Sequence, residues 1–322
     1  MKERVCAIVV TYNRKELLIE CLEGLLKQTR NVDAIYIIDN ASIDNTPELL
    51  KEKGFIRELP PKNLNKPWEK EFKKDNLSIY YLRMNENRGG AGGFYEGVKR
   101  AYEKGYDWLW LMDDDGLPDI KCLEILLKYK EKGDFLSPSI VNIDKKDELV
   151  YGIWDEKNKK TIKNVNDIKE EIYEKVATPF NGTLISKKLV SKIGYPKKEM
   201  FIWGDEVEYL FRALKNNFTV LTIPKAIHYH PKAAFDRKRV FNIFYIWSKS
   251  KLKNYCYIRN RVFRIKKYSK HPYIDILRFF IRYRVASLFD KEIDFELFKE
   301  AFYDGLKEIW GKEKKYLKHE IQ

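Results

Sequence analysis

Short apolar runs alternate with amphipathic stretches along the first third of the chain. The apolar runs, at residues 5–10, 34–38, 79–83 and 108–112, predict four buried strands. The stretches between them, at residues 15–27, 46–53 and 93–104, space their apolar side chains as helices do. Helices that join short apolar strands form right-handed crossovers. The pattern therefore predicts an α/β fold with a mostly parallel sheet.

The pattern changes in the rest of the chain. Residues 55–78 and 142–172 are polar and charged, and we expect both to be excursions on the surface. Residues 178–193 predict a further strand and helix, and residues 205–216 predict another helix. From residue 241 onward the pattern is helical, with large aromatic side chains between lysines and arginines.

Three consecutive aspartates, Asp113, Asp114 and Asp115, follow the apolar run at residues 108–112. A buried strand that ends in carboxylates places negative charge at the carboxyl edge of the sheet, where α/β folds bind ligands. Like charges repel and resist burial, so a divalent cation with a phosphorylated ligand would offset their cost. Asp113 and Asp115 would then face the ligand as a DxD element. The alternative is a solvated acidic turn, because Gly116 follows at once.

Polar loops follow the first two predicted strands and would lie at the same edge of the sheet. A nucleotide binds at such loops in α/β folds, and Asp39 could accept a hydrogen bond from the imide N–H of a uracil or thymine ring. The alternative is that these are turn and capping residues. The candidate nucleotide and donor contacts here are Thr11, Tyr12, Asn13, Arg14, Asp39 and Asn40.

A glycine-rich segment at residues 87–94 precedes the third predicted helix. Glycines let a backbone approach a ligand closely, and a helix N-terminus offers free N–H groups to an anion. Gly89, Gly93 and Arg88, which could reach a phosphate or a ribose, are therefore candidate donor contacts. The segment is not a P-loop, since no Gly-Lys-Ser/Thr sequence follows. A flexible turn is the alternative.

A second group of acids opens the helix predicted at residues 205–216. Acids in a first turn commonly do no more than complement the helix dipole. Asp205, which follows an aromatic residue and a glycine, is the better candidate for a general base.

Two of the four histidines, His228 and His230, alternate in a predicted strand. Alternation places both side chains on one face of the sheet. Each is a candidate metal ligand, acceptor contact or ordinary polar residue.

Composition bounds the class of protein. With 322 residues, 44% of them apolar and 14% aromatic, the chain is globular. No run approaches the ~18 apolar residues of a membrane-spanning helix, and the first residues lack the apolar stretch of a secretion signal. The four cysteines include no CxxC pair, which argues against a zinc site or a disulfide framework. We expect a cytosolic protein.

The net charge of +14 is concentrated in one segment. Residues 232–270 contain 13 Lys and Arg against a single acid, Asp236. We therefore expect a boundary there, with one domain at residues 1–231 and a basic helical region at residues 232–322.

The basic region has three interpretations. Basic amphipathic helices bind anionic membrane surfaces. The aromatic side chains could instead pack the helices on the first domain or on a second subunit, which leaves a homo-oligomer open. A nucleic acid also suits the charge, but the aspartates at residues 113–115 would repel it, so we expect no nucleic-acid partner.

Taken in order along the chain, these motifs resemble those of family 2 glycosyltransferases, which have the GT-A fold. The resemblance spans residues 1–231 and includes both polar loops, the glycine-rich segment, the aspartate cluster, the second acid group and a late histidine. The glycine-rich segment and residues 203–206 look like the branch that transfers galactofuranose or rhamnose. The Trp-Asp-Asp motif of that branch corresponds to Trp203, Gly204 and Asp205, so this chain differs from the branch at Gly204.

The resemblance implies an inverting glycosyltransferase of bacterial surface polysaccharide synthesis. Asp205 would take the proton from an acceptor hydroxyl as that hydroxyl attacks the anomeric carbon. Mn²⁺ or Mg²⁺ would be held by Asp113, Asp115 and His230, with His228 as the fallback ligand. The remaining implied contacts are Asp114 at the donor, and Trp203, Glu206 and His228 at the acceptor.

The implied donor is UDP-galactofuranose, with dTDP-rhamnose as the alternative. The implied acceptor is a glycan or a lipid-linked glycan, which would place the protein in the cytoplasm, peripheral on the inner face of the plasma membrane. An alternative of another class is a protein that binds a nucleotide sugar without catalysis, or one that binds nucleic acid.

Overall fold

Fourteen strands and ten α-helices occur in residues 3–178, 180–232 and 237–317, which the computed structural model describes. The strands are β1 (Val5–Thr11), β2 (Ala34–Asp39), β3 (Trp68–Lys74), β4 (Leu77–Arg83), β5 (Trp108–Asp113), β6 (Leu117–Pro118), β7 (Phe135–Asn142), β8 (Glu148–Asp155), β9 (Lys160–Asn164), β10 (Tyr173–Glu174), β11 (Thr183–Ser186), β12 (Val220–His230), β13 (Arg237–Val240) and β14 (Ile243–Ile246). The helices are α1 (Lys15–Leu26), α2 (Thr46–Glu52), α3 (Gly89–Glu103), α4 (Cys122–Leu127), α5 (Lys187–Ile193), α6 (Asp205–Lys215), α7 (Lys251–Tyr268), α8 (Pro272–Phe289), α9 (Phe295–Lys307) and α10 (Lys314–Leu317).

One sheet orders its strands β10-β12-β7-β11-β5-β1-β2-β4-β3, with β6, β8 and β9 attached at the β12 and β7 side. Strands β4, β2, β1 and β5 are parallel, as predicted, and β11 lies antiparallel between β5 and β7. Their register places Thr11 beside Asp39, Asp39 beside Arg83, and Val10 beside Asp113. The polar ends of four strands therefore meet at one edge of the sheet.

Two stretches predicted as surface excursions contain regular structure, so this prediction is wrong in part. Residues 55–78 include β3, which pairs antiparallel with β4 at the end of the sheet. Residues 142–172 include the antiparallel strands β8 and β9. Likewise, the segment after residue 241, predicted as helical from its start, first completes the hairpin β13–β14. Charged side chains on exposed strand faces hide the apolar pattern of these strands.

Helices cover both faces of the central sheet. One core contains Val9, Trp110 and Met112 packed against α1 and α4. The other contains Ile8 and Leu111 packed against α3, α5 and α6. The two cores fix the carboxyl edge of the sheet, since alternate residues of the same strands enter each of them.

The C-terminal helices α7, α8 and α9 surround an aromatic core of their own, which includes Tyr255, Tyr283 and Phe298. Phe201, from the segment before α6, packs into the same core. The basic region thus packs its buried aromatic side chains against the first part of the chain. The predicted division at residue 231 remains a prediction. None of the helices in the described ranges is both long and apolar enough to cross a membrane.

Candidate active site

The three aspartates at the end of β5 differ in burial and in their partners. Asp114 turns into the protein, where its carboxylate accepts hydrogen bonds from Thr11 Oγ1 at 2.7 Å and Arg14 Nη1 at 3.2 Å. Asp115 accepts a hydrogen bond from the same Arg14 nitrogen at 2.7 Å. Asp113 ends β5 and is partly exposed. That Asp113 and Asp115 face the ligand remains a prediction.

His230, at the end of β12, brings an imidazole to the aspartates. Its Nε2 lies 3.1 Å from Asp115 Oδ1, and its Nδ1 lies 2.6 Å from the carbonyl oxygen of Pro231. A carbonyl oxygen can only accept, so Nδ1 carries a proton and donates it. A ring held in this way presents Nε2 to the acidic cluster.

Burial and mutual repulsion perturb the acids. Burial, followed by the charges of Asp115 and Asp114, raises the pKa of Asp113 to about 8. Burial raises the pKa of Asp114 to about 6 against the opposing effect of Arg14 and Thr11. Burial would also raise the pKa of Asp115, but the hydrogen bond and charge of His230 together with Arg14 lower it. An added cation would therefore stabilise the ionised form of Asp113 and its neighbours.

The donor set suits Mg²⁺ or Mn²⁺, because carboxylate oxygens and an imidazole nitrogen are ligands for these ions. Within the described ranges no group of three or more His, Cys, Asp or Glu side chains is already arranged to hold a metal ion. Arg14 and His230 occupy carboxylate oxygens of the cluster instead. Metal binding would require these ion pairs to open.

Asp39 is fully buried and engaged on both carboxylate oxygens. Oδ1 accepts from the Ser42 N–H at 2.8 Å, and Oδ2 accepts from Tyr81 Oη and Arg83 Nη1, each at 2.6 Å. Arg83 also donates to the Ser42 carbonyl oxygen at 2.6 Å. Asp39 thus shapes the loop after β2. Arg83, which the sequence analysis did not select, lies at the same edge of the sheet, as its position at the end of β4 indicates.

Asn40 holds the glycine-rich turn in place. Its Nδ2 donates to Asn87 Oδ1 at 3.0 Å and to the Gly89 carbonyl oxygen at 2.9 Å, and its Oδ1 accepts from the Arg88 N–H at 3.0 Å. The Asn87 Oδ1 in turn accepts from the Gly89 N–H at 2.8 Å. Both ends of the Asn40 amide are therefore engaged by the glycine-rich turn.

Gly89 and Gly93 pack protein rather than facing open space, which corrects their prediction as donor contacts. A Cβ at Gly89, where φ is +68°, would lie 2.0 Å from the Phe201 carbonyl oxygen. A Cβ at Gly93 would lie 2.5 Å from Val10 Cγ1. Nothing lies within 4 Å of a Cβ at Gly90. Gly93 thus allows α3 to approach the sheet closely, and Gly89 allows the start of α3 to approach Phe201.

Asp205 opens α6 as predicted and is buried. Burial, then the charge of Glu206 and a hydrogen bond with it, raise the pKa of Asp205 well above its usual range, and the charge of Asp113 adds to this effect. Glu206 Oε2 also accepts from the Gly204 N–H at 2.8 Å. An aspartate with a raised pKa beside the cluster is suited to proton transfer.

Arg264, on α7, is a buried cation on which the charges of this second acid pair act. Its Nε would lie 3.4 Å from a Cβ at Gly204 and has no hydrogen-bond partner among the described residues. Burial lowers its pKa to about 10, and the charges of Glu206 and Asp205 oppose that shift. Sequence reasoning missed Arg264, since it lies in the basic segment among many arginines.

His228 is not an acceptor contact or a metal ligand in this structure, which corrects that prediction. The ring is fully buried beneath Gly116 and Gly182, where a Cβ would lie 2.1 Å and 2.8 Å from its nitrogens. Burial, then the charge of His230, lowers its pKa to about 3, so the ring is neutral. The alternation of His228 and His230 in the sequence predicted the face of the sheet on which His228 lies. It did not predict that Gly116 and Gly182 cover the ring.

The remaining predicted residues line the rim of the site. Tyr12 is half-buried, and Asn13 and Arg14 are exposed. Trp203 is half-buried with its ring edge-on to Tyr257 at 6.4 Å. A residue that the sequence analysis missed is Tyr151 of β8, whose pKa is raised by burial and then by the charges of Asp113, Glu206 and Asp115. Its stretch had been interpreted as a surface excursion.

Comparison with known proteins identifies the class of this chain. The family described as "Glycosyl transferase family 2" matches residues 6–185. That match covers more than half of the chain. The chain therefore belongs to glycosyl transferase family 2, and it is a glycosyltransferase.

Individual curated proteins are also similar to this chain over most of its length. The galactofuranosyltransferase GlfT1 of Mycolicibacterium smegmatis is 31% identical over 237 residues, which cover 71% of each chain. GlfT1 of Mycobacterium tuberculosis is 32% identical over 248 residues and 74% of each chain. The dTDP-rhamnosyl transferase RfbF of Shigella flexneri is 23% identical over 239 residues, 71% of this chain and 70% of RfbF.

Solved structures show the same fold. S. aureus TarS in complex with UDP-GlcNAc gives a TM-score of 0.55 at 14% identity, over 94% of this chain and 79% of TarS. The mannosyltransferase PcManGT from Pyrobaculum calidifontis, in complex with GDP-Man and Mn²⁺, gives 0.53 at 14% identity, over 83% and 64%. The chain has the GT-A fold.

The packing role of the glycines predicts different results at two positions of α3. Gly93→Ala should lower the free energy of unfolding by about 1–3 kcal/mol, because its methyl group meets Val10. Gly90→Ala, in the same helix but facing open space, should not lower it. Urea unfolding of both variants tests this. Equal stability of the two would contradict the packing role.

Proposed function

We propose that this enzyme transfers galactofuranose from UDP-galactofuranose to a hydroxyl group of a glycan or lipid-linked glycan, with inversion. The observation that carries the proposal is the similarity to the GlfT1 galactofuranosyltransferases, at 31–32% identity over more than two thirds of each chain. The site supports it, since a buried aspartate suited to proton transfer lies beside a carboxylate cluster at the sheet edge.

Asp205 is the general base of this proposal. In its ionised form it would accept the proton of the acceptor hydroxyl while the oxygen attacks the anomeric carbon. Burial and the neighbouring Glu206 raise the pKa of Asp205, which makes its carboxylate a stronger base. Glu206 shares the local negative charge, and Arg264 supplies an opposing positive charge. Trp203 and Glu206, at the open side of the loop, would contact the acceptor.

Asp113, Asp115 and Nε2 of His230 would hold the divalent cation. Bound there, Mn²⁺ or Mg²⁺ would stabilise the charge that develops on the departing nucleoside diphosphate. The hydrogen bond from Nδ1 to the Pro231 carbonyl oxygen fixes the imidazole in the required orientation. Arg14, released from the aspartates, would be free to turn toward the phosphates.

The loops after β1 and β2 would bind the nucleoside. Asp39 Oδ1 accepts one hydrogen bond, from Ser42, and retains capacity for a second from a uracil imide. Asn13 links the two loops, since its N–H donates to Ser42 Oγ at 3.0 Å and its Oδ1 accepts from the Ile43 N–H at 2.7 Å. Thr11, Tyr12 and Arg88 would complete the donor side.

Nucleotide selectivity tests the proposed donor. Calorimetric titration should give UDP binding that weakens on the order of tenfold or more when Mn²⁺ is removed, because the diphosphate would share the cation with the carboxylates. UDP-galactofuranose should then be consumed only when acceptor is present. A preference for dTDP would favour a rhamnosyl donor, as in RfbF. If neither nucleotide binds, the proposed nucleotide-sugar site is wrong.

Replacing the base should separate catalysis from binding. Asp205→Asn should lower kcat by about 10²–10⁴ while UDP affinity stays unchanged, because the amide cannot accept the proton. Glu208→Gln is the matched control. Glu208 lies on the same helix but pairs with Arg212 and Tyr268, so its loss should reduce stability and leave kcat near the original value. Full activity of Asp205→Asn would exclude it as the base.

We also propose that an exposed face of α8 contacts an anionic membrane surface. This α8 outer face consists of the apolar side chains Tyr273, Ile274, Leu277, Ile281, Leu288 and Phe289, all at least half exposed. Arg278, Arg282 and Arg284 stand among them, against one acid in the helix, Asp275. A second copy of this face would oppose like charges, whereas anionic lipid would complement them.

Vesicle binding tests this surface. The protein should co-sediment with phosphatidylglycerol-containing vesicles and not with pure phosphatidylcholine. The pair Leu277→Ser and Ile281→Ser should weaken binding on the order of tenfold through lost apolar burial. Tyr303→Ser, an equally exposed site on α9, is the control and should change nothing. Concentration-dependent dimers that the same pair abolishes, without vesicle binding, would assign the face to self-association instead.

A further inference from the structure

The segment that leads into α6, which we call the catalytic loop (residues 200–204), has an unusual backbone. Phe201 and Trp203 have φ values of +64° and +62°, in the left-handed region that bulky side chains rarely adopt. Gly204 follows with φ of +109° and precedes Asp205 directly. Such a conformation persists only where the surroundings hold it. Its carbonyl groups show what holds it here.

Asn260, a buried residue of α7, binds three of these carbonyl groups. Its Nδ2 lies 2.9 Å from the carbonyl oxygen of Met200, 3.1 Å from that of Ile202 and 2.9 Å from that of Trp203. Its Oδ1 accepts from Arg259 Nε at 3.1 Å, which fixes the orientation of the amide. One side chain of the C-terminal region thus holds the whole turn of the catalytic loop.

Arg259 supports the same loop from the neighbouring position of α7. Its Nη2 donates to the carbonyl oxygens of Met200 at 2.9 Å and Glu199 at 3.2 Å. Its Nη1 forms an ion pair with Glu313, and its guanidinium lies 4.8 Å from the ring centroid of Trp310. Arg259 is fully buried, so these contacts hold it rigidly.

The catalytic loop also reaches the donor side of the site. The Phe201 carbonyl oxygen accepts from the Ala91 N–H at 3.0 Å, in the first turn of α3. Gly89 provides the space for that approach. The catalytic loop therefore contacts both α7 and α3, and it leads directly into Asp205, the proposed base.

We propose that Asn260 is a positioning residue for catalysis, which acts by fixing the catalytic loop and with it the carboxylate of Asp205. The inference rests on the proposed role of Asp205 as the general base. The Trp203 carbonyl lies two residues before Asp205, so freeing it lets the start of α6 shift. A shift of about 1 Å at a reacting group can cost on the order of 10² in rate.

Substitution of Asn260 tests the inference. Asn260→Ala should lower kcat by about 10–100-fold. The affinity for UDP with Mn²⁺ should stay within about threefold, because the carboxylate cluster lies on other elements. The matched control is Asn254→Ala. Asn254 is also buried on α7, but its amide bonds the backbone of Ser248 at 2.8 Å. It should lose comparable stability and keep its kcat.

Three outcomes are informative. A loss of kcat at Asn260 alone, with UDP binding retained, supports the inference, and equal losses at Asn254 and Asn260 would reduce both to general stability and overturn it. An unchanged kcat in Asn260→Ala overturns it directly. If Asn260→Ala does not fold, the isosteric Asn260→Asp replaces it, since this variant keeps the acceptor for Arg259 and removes the three donated bonds.

Asp205→Asn, measured in the same assay, distinguishes a failure of the proposed base from a failure of the positioning role of Asn260. If Asp205→Asn retains activity, the proposed base is wrong and the role of Asn260 loses its target. If Asp205→Asn is inactive and Asn260→Ala is fully active, only the positioning role fails.

Discussion

Repulsion among buried carboxylates is the constraint on which the rest of this structure depends. Asp113, Asp114 and Asp115 share the end of one strand, and Asp205 with Glu206 faces them from α6, so that several of these groups resist ionisation. The groups that oppose this repulsion come from distant parts of the chain: the guanidinium of Arg14 after β1, the imidazole of His230 at the end of β12 and the guanidinium of Arg264 on α7. The fold has to bring these elements to one edge of the sheet, and it is this edge that can then accept a cation and a diphosphate.

Several residues that the sequence predicts as ligand contacts instead hold the loops of the site in place. The amide of Asn40 forms hydrogen bonds with the turn before α3. The carboxylate of Asp39 accepts hydrogen bonds from Tyr81, Arg83 and the Ser42 backbone. Gly89 and Gly93 exist for close packing. Polar residues and glycines at a strand end are needed by the loop whether or not a ligand is present, which is why the two roles look alike in sequence.

The parallel centre of the fold could be predicted because each of its strands is a continuous apolar run between amphipathic helices. The strands β3 and β8 could not, since one face of each is exposed and charged, and the local pattern then resembles a loop. In the site, the aspartates of β5 and Asp205 were found because a strand end and a helix start are visible locally. Arg264 was missed because the acids whose charges act on it, Glu206 and Asp205, lie far earlier in the chain, and no local spacing encodes such a contact. His228 was misplaced because alternation gives the direction of a side chain without showing the glycine backbone above it.

The pairing of Arg259 with Glu313 has a consequence for the order in which this enzyme matures. The family match ends at residue 185, and β12, which brings His230 to the sheet edge, ends at residue 230. The catalytic loop, by contrast, accepts side-chain hydrogen bonds from Asn260 and Arg259 of α7, and Arg259 pairs with the carboxylate of Glu313, 54 residues further along the chain. Since a chain is made from its N-terminus at about 5–20 residues per second, a nascent molecule would form the aspartate cluster before the backbone that precedes Asp205 is held. Under the proposed mechanism, transfer would begin only once synthesis has passed Glu313, which keeps shorter nascent chains from acting on acceptors.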